Sequence, residues 1–234
     1  MQSPDSDTKT PVCVGMIMDG NRRWAREQGL ATLEGHRKGF EKLKEVLGWV
    51  EVRGIKHLVV YAFSTENWGR VEEEVSYLMD LIRRVFARES KELAEIKERR
   101  GRLRFIGERA RFHPDIQEAL AHAEEETKGG TCTLWVGLSY GGRPEIIAAV
   151  NKLLEEGRES VGEEDISNAL WSAGMPDPDL IIRTSGEQRL SGFLPWQGVY
   201  SELFFTKTYW PAFSEAEFDA ILAEYASRER RRGK

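Results

Sequence analysis

The residues that could do chemistry fall into three polar segments of the chain. The first, DGNRRWA, follows an apolar run and begins at Asp19, which is suited to Mg²⁺ because this cation takes one or two carboxylates together with phosphate oxygens. Gly20 permits a tight turn, and Asn21 can cap the helix that follows. Arg22 and Arg23, with the first N–H groups of that helix, can bind an anion. The alternative is an Asp–Gly turn with two solvated arginines.

The second segment, YAFSTENWGR, occupies residues 61–70 at the end of another apolar run. Two large apolar rings, Phe63 and Trp68, stand among side chains that form hydrogen bonds. Those polar side chains are Ser64, Thr65, Glu66, Asn67 and Arg70. Such a mixture suits a ligand with a charged head and an apolar body. Taken alone, the segment is more simply explained as a capped loop in which Trp68 fills the core.

The third segment, IIRTSGEQRLSGFLPWQGVYSEL, occupies residues 181–203. Arg183 and Arg189 flank a glycine turn, and the guanidinium group matches the oxygens of a phosphate in a bidentate way. Ser191 follows closely, and Glu202, which precedes another apolar run, is a second candidate carboxylate for a metal. A surface loop with two arginines is the alternative.

Together these segments indicate two anionic groups bound close to each other, because two of the segments carry a pair of arginines. His36, in GHRKG, is either a further phosphate donor or a histidine that caps the start of a helix. The nucleotide-binding sequences G-x-x-x-x-G-K-[ST] and G-x-G-x-x-G after a strand are absent from the sequence. The glycine pair in SYGGRPE, residues 139–145, is interpreted as a turn that leads into a helix at Pro144.

Apolar runs typical of strands alternate with helical patterns along the chain. The predicted strands are Val12–Met18, Leu58–Phe63, Leu103–Ile106, Cys132–Leu138, Leu180–Ile182 and Leu203–Phe205. The predicted helices are Asn21–Gln28, Glu34–Arg53, Glu72–Arg99, Pro114–Lys128, Pro144–Glu156, Glu163–Ala173 and Glu215–Arg230. This order predicts an α/β fold with a mostly parallel central sheet of about six strands and helices on both faces. Ligands in such sheets bind at the carboxyl ends of strands, where all three polar segments fall.

Residues 12–234 are predicted to form a single domain, since no Pro-, Gly- or Ser-rich linker and no internal repeat divides them. Residues 1–11 are predicted to be a disordered lead-in. The predicted helix that begins at Glu72 carries more apolar residues than one face requires. Core packing is the favoured explanation, and the wall of a hydrophobic tunnel for an extended apolar ligand is the alternative.

The composition argues against several classes of protein. A formal net charge of −5 disfavours a general nucleic-acid binder, which carries a basic surplus. No apolar run reaches the roughly 18 residues that span a bilayer, and the polar start MQSPDSDTKT is not expected to be a signal peptide. Cys13 and Cys132 lack metal-ligand partners at a useful spacing. They are predicted to be buried reduced thiols, which fits a cytoplasmic protein.

The sequence resembles the cis-prenyltransferases, the family that includes undecaprenyl and dehydrodolichyl diphosphate synthases. The resemblance covers nearly the whole chain after residue 12. It rests on IMDGNRRWA, GHRKG, YAFSTENWGR, YGGRPEI and IRTSGEQRLSGFLPWQGVYSEL, which occur in that order. The trans-type synthases carry Asp-rich D-D-x-x-D sequences, whereas this chain contains no Asp–Asp pair. The resemblance implies a Mg²⁺-dependent enzyme that condenses isopentenyl diphosphate with an allylic diphosphate, such as farnesyl diphosphate, into a cis-polyprenyl diphosphate for cell-wall or glycan synthesis.

The resemblance also implies roles for individual residues. Asp19 binds Mg²⁺, Glu202 completes the metal site, and Asn67 accepts a proton together with Ser64. The allylic diphosphate is surrounded by Gly20, Asn21, Arg22, Arg23, His36 and Arg70. Trp24 and Trp68 pack near the reacting prenyl groups, and Thr65 and Glu66 lie with Ser64 and Asn67 at the reaction centre. The isopentenyl diphosphate is bound by Arg183, Arg189, Leu190 and Ser191.

Family members form dimers, so the resemblance implies a homodimer that uses residues 190–205 and the late helices. A C-terminal R-x-G sequence can reach the partner's site. Arg231 and Gly233 match that pattern, and a solvated basic tail is the alternative. The implied location is the cytoplasm, with contact to a membrane during product release.

Three positions depart from the family pattern. Arg22 stands where many bacterial members have glycine, Cys13 where many have histidine, and Thr32 where many have an arginine that binds diphosphate. Catalysis is expected to survive, with altered contacts to the allylic substrate. Two other hypotheses are a non-catalytic partner subunit, against which the retained Asp19 and Asn67 speak, and a phosphate-binding regulatory module of the same fold.

Overall fold

The computed structural model describes residues 10–228, which form a six-stranded sheet with surrounding helices. The strands are β1 (Cys13–Ile17), β2 (His57–Ser64), β3 (Gly101–Ile106), β4 (Cys132–Tyr140), β5 (Leu180–Arg183) and β6 (Glu202–Phe205). All neighbouring strands are parallel, in the order β3-β4-β2-β1-β5-β6. The predicted α/β fold is confirmed, and every predicted strand is present with its ends shifted by two residues at most.

Eight α-helices lie within the described residues. They are α1 (Asn21–Glu27), α2 (Thr32–Val52), α3 (Glu72–Val85), α4 (Lys91–Glu98), α5 (Pro114–Glu126), α6 (Gly142–Glu155), α7 (Glu163–Ala169) and α8 (Glu215–Ser227). The prediction of one continuous helix over Glu72–Arg99 is wrong, because residues 86–90 separate α3 from α4. Ser90 starts the second helix, since its Oγ accepts a hydrogen bond from the backbone N–H of Leu93 at 3.1 Å.

Both faces of the sheet are buried, as expected for parallel strands that alternate with helices. Val14 and Met16 of β1 join a core that includes side chains of α2, α3, α5 and α8. Cys13 belongs to a cluster on the opposite face, which is closed by residues from 171–175 and 190–194. Helices α6 and α7, which connect β4 to β5, pack against each other on this second side. The loops at the strand ends therefore lie above two separate apolar clusters, one on each face of the sheet.

At the crevice between β1 and β5, the chain connections that leave the two strands run in opposite directions across the sheet. After β1 the chain continues to β2, whereas after β5, on the other side of β1, it continues outward to β6. Ligands in open α/β sheets bind at such a point, outside the carboxyl ends of the strands. Ile17 is in register with Arg183, so the ends of β1 and β5 lie level with each other.

An apolar cavity of about 160 Å³ lies between the sheet and helices α2, α3 and α4. Its wall includes Ala62 and Phe63, the two residues before Ser64, and continues as far as Ile96 on α4. Helix α3 contributes Leu78, Leu81, Ile82 and Val85 to the same wall. Both explanations for the apolar surplus on α3 apply, because Leu78, Ile82 and Val85 belong to the core and also line the cavity, which is the candidate for the hydrophobic tunnel.

The two cysteines are free thiols. Cys13 is buried, as predicted, whereas Cys132 is only half-buried. No helix among residues 10–228 is long and apolar enough to cross a bilayer. Most of the predicted lead-in, residues 1–11, lies outside the described residues and stays a prediction.

Helix α1 lies directly on α2 because α2 presents two glycines at the contact. A Cβ atom on Gly35 would lie 2.2 Å from the backbone oxygen of Asn21. A Cβ atom on Gly39 would lie 2.3 Å from Oδ1 of the same residue. A larger residue would push α1 and the turn before it away from the core. The two glycines therefore fix the position of the first polar segment.

We expect Gly35→Ala to lower the free energy of unfolding by about 2 kcal/mol or more, because the clash with the backbone of α1 outweighs the better helix propensity of alanine. The measurement is urea denaturation followed by circular dichroism. Gly48→Ala on the same helix is the matched control, since the nearest atom to its new Cβ is Nη1 of Arg99 at 3.7 Å. The control should be neutral or more stable by up to about 1 kcal/mol. Equal effects of the two substitutions would contradict the packing described.

Candidate functional site

Asp19 and Arg183 form the contact that joins the first and third polar segments. Nη2 of Arg183 donates to Oδ2 of Asp19 at 2.8 Å, and the Arg183 side chain is only 6% exposed. Nη2 of Arg23 lies 3.2 Å from the same oxygen. Burial alone would raise the pKa of Asp19, but hydrogen bonds from Arg183 and Ser185 and the charges of Arg183 and Arg23 lower it. Asp19 is therefore ionised at neutral pH.

Backbone contacts hold Asp19 at the end of β1. Its carbonyl oxygen accepts hydrogen bonds from the backbone N–H of Trp210 at 3.0 Å and from Oγ1 of Thr184 at 2.7 Å. Gly20 follows with φ of +107°, and a Cβ atom there would lie 2.7 Å from Cδ1 of Tyr209. Glycine is therefore required at this position, both for the backbone conformation and for space.

The prediction that Asn21 caps α1 is wrong. Gly20 occupies the N-cap position, no side chain caps the helix, and Asn21 is the first residue of α1. Nδ2 of Asn21 donates to the carbonyl oxygen of Met18 at 3.4 Å. Its Oδ1 is buried and has no hydrogen-bond partner among the described residues. The side chain is held inside the contact between α1 and α2, so it cannot bend back to cap the helix.

Arg183 also holds the loop that follows β5. Its Nη1 donates to the carbonyl oxygen of Arg189 and to Oγ of Ser191, the latter at 2.9 Å. A cation this deeply buried needs partners for its charge, and both terminal nitrogens of Arg183 have them, whereas its buried Nε has none among the described residues. The third polar segment is therefore tied to Asp19 through one guanidinium group.

The same loop lies against the start of α6. A Cβ atom on Gly142 would lie 2.0 Å from Cδ of Pro195, and the N–H of Gly142 donates to the carbonyl oxygen of Gly192 at 2.8 Å. The glycine pair, predicted as a turn into a helix, therefore also makes room for the loop carrying Arg189 and Ser191.

Glu187 connects Arg23 of the first segment with Arg189 of the third. Its Oε1 accepts a hydrogen bond from Nη1 of Arg23 at 3.1 Å, and its Oε2 accepts one from Nη1 of Arg189 at 2.5 Å. The hydrogen bond and charge of Arg189, followed by those of Arg23, lower the pKa of Glu187. Glu187 is not among the residues predicted from the sequence, because a glutamate near arginines in a loop is typical of a solvated surface.

A second cluster surrounds Glu74, whose side chain is only 4% exposed. Its Oε1 accepts a hydrogen bond from Nη1 of Arg70 at 2.8 Å and lies 2.9 Å from Nε2 of His36. Nη1 of Arg22 lies 3.8 Å from Oε2. One buried carboxylate thus arranges three predicted ligands of the allylic diphosphate. Glu74 is one of three consecutive glutamates and is not among the residues predicted from the sequence, although its i+4 spacing from Arg70 is a usable signal.

The alternative in which His36 caps a helix is wrong. Helix α2 begins at Thr32 and its N-cap residue is Ala31, so His36 lies in the second turn. Burial lowers the pKa of His36, and this effect outweighs the hydrogen bond to Glu74, which acts in the opposite direction. The neutral ring donates to Glu74 through Nε2 and leaves Nδ1 as an acceptor.

The second polar segment forms a short 3₁₀ helix, Thr65–Gly69, with Ser64 as its cap residue. The backbone N–H of Ser64 donates to Oδ1 of Asn67 at 3.0 Å. The ring of Trp68 packs edge-on against Phe63, with centroids 5.0 Å apart. Both interpretations of the segment hold in part, because it is a capped turn and it also borders the apolar cavity through Phe63.

A polar crevice of about 770 Å³ opens in front of the first segment. The predicted site residues that line it are Asp19, Gly20, Asn21, Arg22, Arg23, His36 and Arg70. Thr32, one of the departures from the family pattern, lines the same crevice. The structure thus gathers residues from β1, α1, α2 and the second segment around one open space.

Glu202 does not lie near Asp19 within one chain. It is the first residue of β6 and is in register with Leu180 at the start of β5, whereas Arg183 is at the end of that strand. Three residues of strand correspond to about 10 Å. Oε2 of Glu202 instead accepts a hydrogen bond from Nη1 of Arg228 at 2.6 Å. A metal site shared by Asp19 and Glu202 therefore has no support within a single chain.

For the remaining predicted residues within the described part of the chain, the structure shows exposure but no contact that indicates a role. Trp24 and Leu190 are half-buried and Glu66 is exposed, and their contacts with substrate stay predictions. Arg231 and Gly233 lie outside the described residues.

Asp19 fits one kind of metal site. Within residues 10–228 no group of three His, Cys, Asp or Glu side chains could enclose a metal ion. Mg²⁺ seldom needs such a cage, since it keeps several waters and is bound by one or two carboxylates plus phosphate oxygens. Asp19 is ionised, 29% exposed and placed at the wall of the polar crevice. The donor set therefore suits a magnesium ion that shares its ligands with a bound phosphate.

Comparison with known proteins gives a consistent result. A family profile described as "Putative undecaprenyl diphosphate synthase" matches residues 17–233. A protein named isoprenyl transferase from Fusobacterium nucleatum is 44% identical over 226 residues, which cover 95% of this chain and 96% of that protein. An isoprenyl transferase of Thermus thermophilus is 45% identical over 238 residues, covering 96% of this chain and 89% of that one.

Two solved structures share the fold. Lavandulyl diphosphate synthase from Lavandula x intermedia, in complex with dimethylallyl diphosphate, superposes with a TM-score of 0.89 and is 31% identical. A protein described as "probable undecaprenyl diphosphate synthase" from Campylobacter jejuni gives a TM-score of 0.80 at 30% identity. Each match covers 96% of this chain and 99% of the other.

We expect Glu74→Gln to lower the free energy of unfolding by about 2 kcal/mol, because it removes the charge that His36, Arg70 and Arg22 share in a buried position. The pKa of Glu74 is lowered from its ordinary value of 4.5, so its contribution is present above that pH and is lost as the pH falls below it. Urea denaturation at pH 7 and pH 4 measures both effects. Glu73→Gln, at the exposed neighbouring position, is the matched control. A loss no larger than that of the control would contradict the role given to Glu74.

Proposed function

Because the chain belongs to the undecaprenyl diphosphate synthase family of prenyltransferases, we propose that it condenses isopentenyl diphosphate with an allylic prenyl diphosphate such as farnesyl diphosphate. The product is a polyprenyl diphosphate with cis double bonds, of the kind that serves as a lipid-carrier precursor in cell-wall or glycan synthesis. The contact between Asp19 and Arg183 carries the proposal, since it places two arginine-rich clusters side by side next to an apolar cavity. The cis configuration rests on family membership and on the absence of an Asp–Asp pair.

The polar crevice is the proposed site of the allylic diphosphate. Arg22, Arg23 and Arg70 supply the positive charge there, and neutral His36 supplies a ring nitrogen. These cations are already held in place by carboxylates in the free protein, so little reorganisation is needed when the diphosphate binds. The arginines would stabilise the negative charge that develops on the leaving diphosphate.

The loop after β5 is the proposed site of the isopentenyl diphosphate. Arg189 is 60% exposed and contacts Glu187, and Ser191 and Arg183 lie beside it. Because Arg183 touches both Asp19 and this loop, the two substrates would be bound on either side of the crevice between β1 and β5.

The reaction then breaks a C–O bond and a C–H bond, forms a C–C bond and moves a double bond. The C–O bond of the allylic diphosphate breaks, and the double bond of isopentenyl diphosphate attacks the allylic carbon to form a C–C bond. A proton leaves the isopentenyl unit to give the new double bond, and the diphosphate departs. Asn67 and Ser64, at the end of β2 beside the cavity wall, are the proposed proton acceptors.

Asp19 would hold a Mg²⁺ ion in this site. When bound, that ion neutralises charge on a diphosphate and so favours its departure. Arg183 and Arg23 keep Asp19 ionised at the wall of the crevice, where it would hold the ion together with phosphate oxygens of a bound substrate.

The apolar cavity would receive the growing prenyl chain. Each buried CH₂ group contributes about 0.8 kcal/mol, so several five-carbon units would bind tightly. The cavity begins at Ala62 and Phe63, next to the proposed reaction centre, and this continuity supports its use by the product.

We also propose a homodimer that acts in the cytoplasm and contacts a membrane when product is released. Val199 and Tyr200 are 67% and 71% exposed, and Leu203 is 38% exposed on β6, the last strand of the sheet. Exposed apolar side chains beside an edge strand support an interface at this place.

The first test is a product assay. Purified protein is given farnesyl diphosphate, isopentenyl diphosphate and Mg²⁺, and products are identified by mass spectrometry. We expect a series of prenyl diphosphates, and Asp19→Asn should lower the rate by about a hundredfold or more, since several kcal/mol of stabilisation are lost. Asp115→Asn, at a carboxylate on α5 that pairs with Arg83, is the matched control and should keep its rate.

Absence of product with every allylic primer would contradict an enzyme that works alone. If the inactive protein then stimulated a second prenyltransferase subunit, the partner-subunit hypothesis would replace the proposal. Turnover by the chain alone excludes that alternative.

A second expectation concerns product release. A long polyprenyl chain in the apolar cavity should leave slowly, and a non-ionic detergent should raise the steady-state rate because it gives the chain an apolar phase to enter. The measurement compares the first turnover, by rapid quench, with steady-state turnover at several detergent concentrations. A steady-state rate that does not respond to detergent would indicate a short product.

A further inference from the structure

Glu187 lies between two arginines that serve different diphosphates in the proposed function, on which this inference rests. Arg23 lines the polar crevice, whereas Arg189 belongs to the loop after β5. Each carboxylate oxygen of Glu187 accepts a hydrogen bond from one of them, at 3.1 Å and 2.5 Å. We propose that Glu187 is an exchangeable internal anion. In the ligand-free protein it occupies both arginines, and the first diphosphate to bind displaces it from both.

The charges around Glu187 alternate in an unbroken row. Arg183 contacts Asp19 at 2.8 Å, and Asp19 lies 3.2 Å from Arg23. Arg23 then contacts Glu187, which contacts Arg189. Three cations and two carboxylates thus stand in sequence across the proposed sites of both substrates. A diphosphate that binds Arg23 or Arg189 competes directly with Glu187 for the N–H donors of that arginine.

The exposure of Glu187 distinguishes it from the other carboxylate that holds arginines. Glu74 is 4% exposed and is part of helix α3, so it has no water to move into. The side chain of Glu187 is 32% exposed and stands in a loop. Because an ionised carboxylate is well solvated in water, turning Glu187 outward leaves no buried charge without a partner. Glu74 is therefore a fixed support, and Glu187 is the carboxylate that can be exchanged.

The backbone beside Glu187 is tied down, so the exchange needs only side-chain rotation. The N–H of Ser185 donates to the carbonyl oxygen of Thr208 at 2.8 Å, and that of Gly186 donates to the carbonyl oxygen of Thr206 at 2.7 Å. The loop can thus keep its place while the carboxylate leaves. Arg23 and Arg189 remain within reach of the ligand that replaces it.

The exchange couples the two substrates. The first diphosphate breaks the contacts of Glu187 with both arginines, and the second then finds its arginine already free. Such coupling is reciprocal, because each ligand changes the affinity of the other by the same factor. The two bound diphosphates also repel each other, and this repulsion opposes the coupling. The coupling is therefore measured as the difference between the wild type and a variant that lacks the Glu187 charge.

The test is isothermal titration calorimetry with Mg²⁺ present, because the proposed function has this ion share its ligands with a bound phosphate, and the allylic analogue used does not turn over. Isopentenyl diphosphate is titrated into the protein with and without farnesyl thiolodiphosphate, an allylic analogue with a C–S bond in place of the C–O bond that breaks. The measured quantity is the factor by which the analogue changes the Kd of isopentenyl diphosphate. The analogue should favour the binding of isopentenyl diphosphate more in the wild type than in Glu187→Gln. We expect the two factors to differ by about fivefold or more. Each ligand alone should bind the variant more tightly than the wild type.

Glu27→Gln is the matched control, because it removes a nearby negative charge that contacts Tyr209 and neither Arg23 nor Arg189. A general effect of charge would tighten both ligands in this control and leave the coupling factor unchanged. The same coupling factor in the wild type and in Glu187→Gln would overturn the inference while leaving the proposed function intact. Weaker binding of the single ligands by Glu187→Gln would also overturn it. Failure of the wild type to bind either ligand would contradict the proposed function itself, and the inference with it.

Discussion

The ion pair between Asp19 and Arg183 is the contact on which the arrangement of the site depends. A guanidinium group that is 6% exposed needs a carboxylate beside it, and the register of β1 and β5 brings Asp19 to that place. Because the two strands are parallel neighbours whose connections diverge, the pair lies where an α/β sheet leaves an open crevice. The loop with Arg189 and the turn with Arg23 then meet at this one point.

Carboxylates hold the arginines and the histidine assigned to the two diphosphates before any ligand is present. Glu74 is buried and keeps Arg22, Arg70 and His36 in position, whereas Glu187 is exposed and contacts the arginines of both proposed diphosphate sites. The free protein therefore avoids a cluster of unpaired positive charge while the guanidinium groups stay directed into the site. This preorganisation is the property that electrostatic catalysis requires. The apolar cavity beside Phe63 supplies the contrasting environment for the prenyl chain.

Much of this arrangement could be predicted from the sequence, because it depends on local patterns. The strands were identifiable from apolar runs, and the polar segments after β1, β2 and β5 were identifiable as sites from the rule for parallel sheets. The role of Glu74 could not be read in the same way, since His36 is 38 positions away in the sequence. The break between α3 and α4 was hidden because the apolar periodicity continues through it. Glu202 could be assigned a place on β6, but its distance from Asp19 follows only from the strand order and register.

The most direct measurement is a crystal structure with isopentenyl diphosphate, farnesyl thiolodiphosphate and Mg²⁺ bound together. The account predicts one diphosphate in contact with Arg183 and Arg189, the other in the crevice beside Arg23, and the metal on Asp19 between them. The prenyl chain should enter the cavity past Phe63. A complex in which either diphosphate binds away from these arginines, or in which Asp19 contacts neither metal nor ligand, would contradict the account.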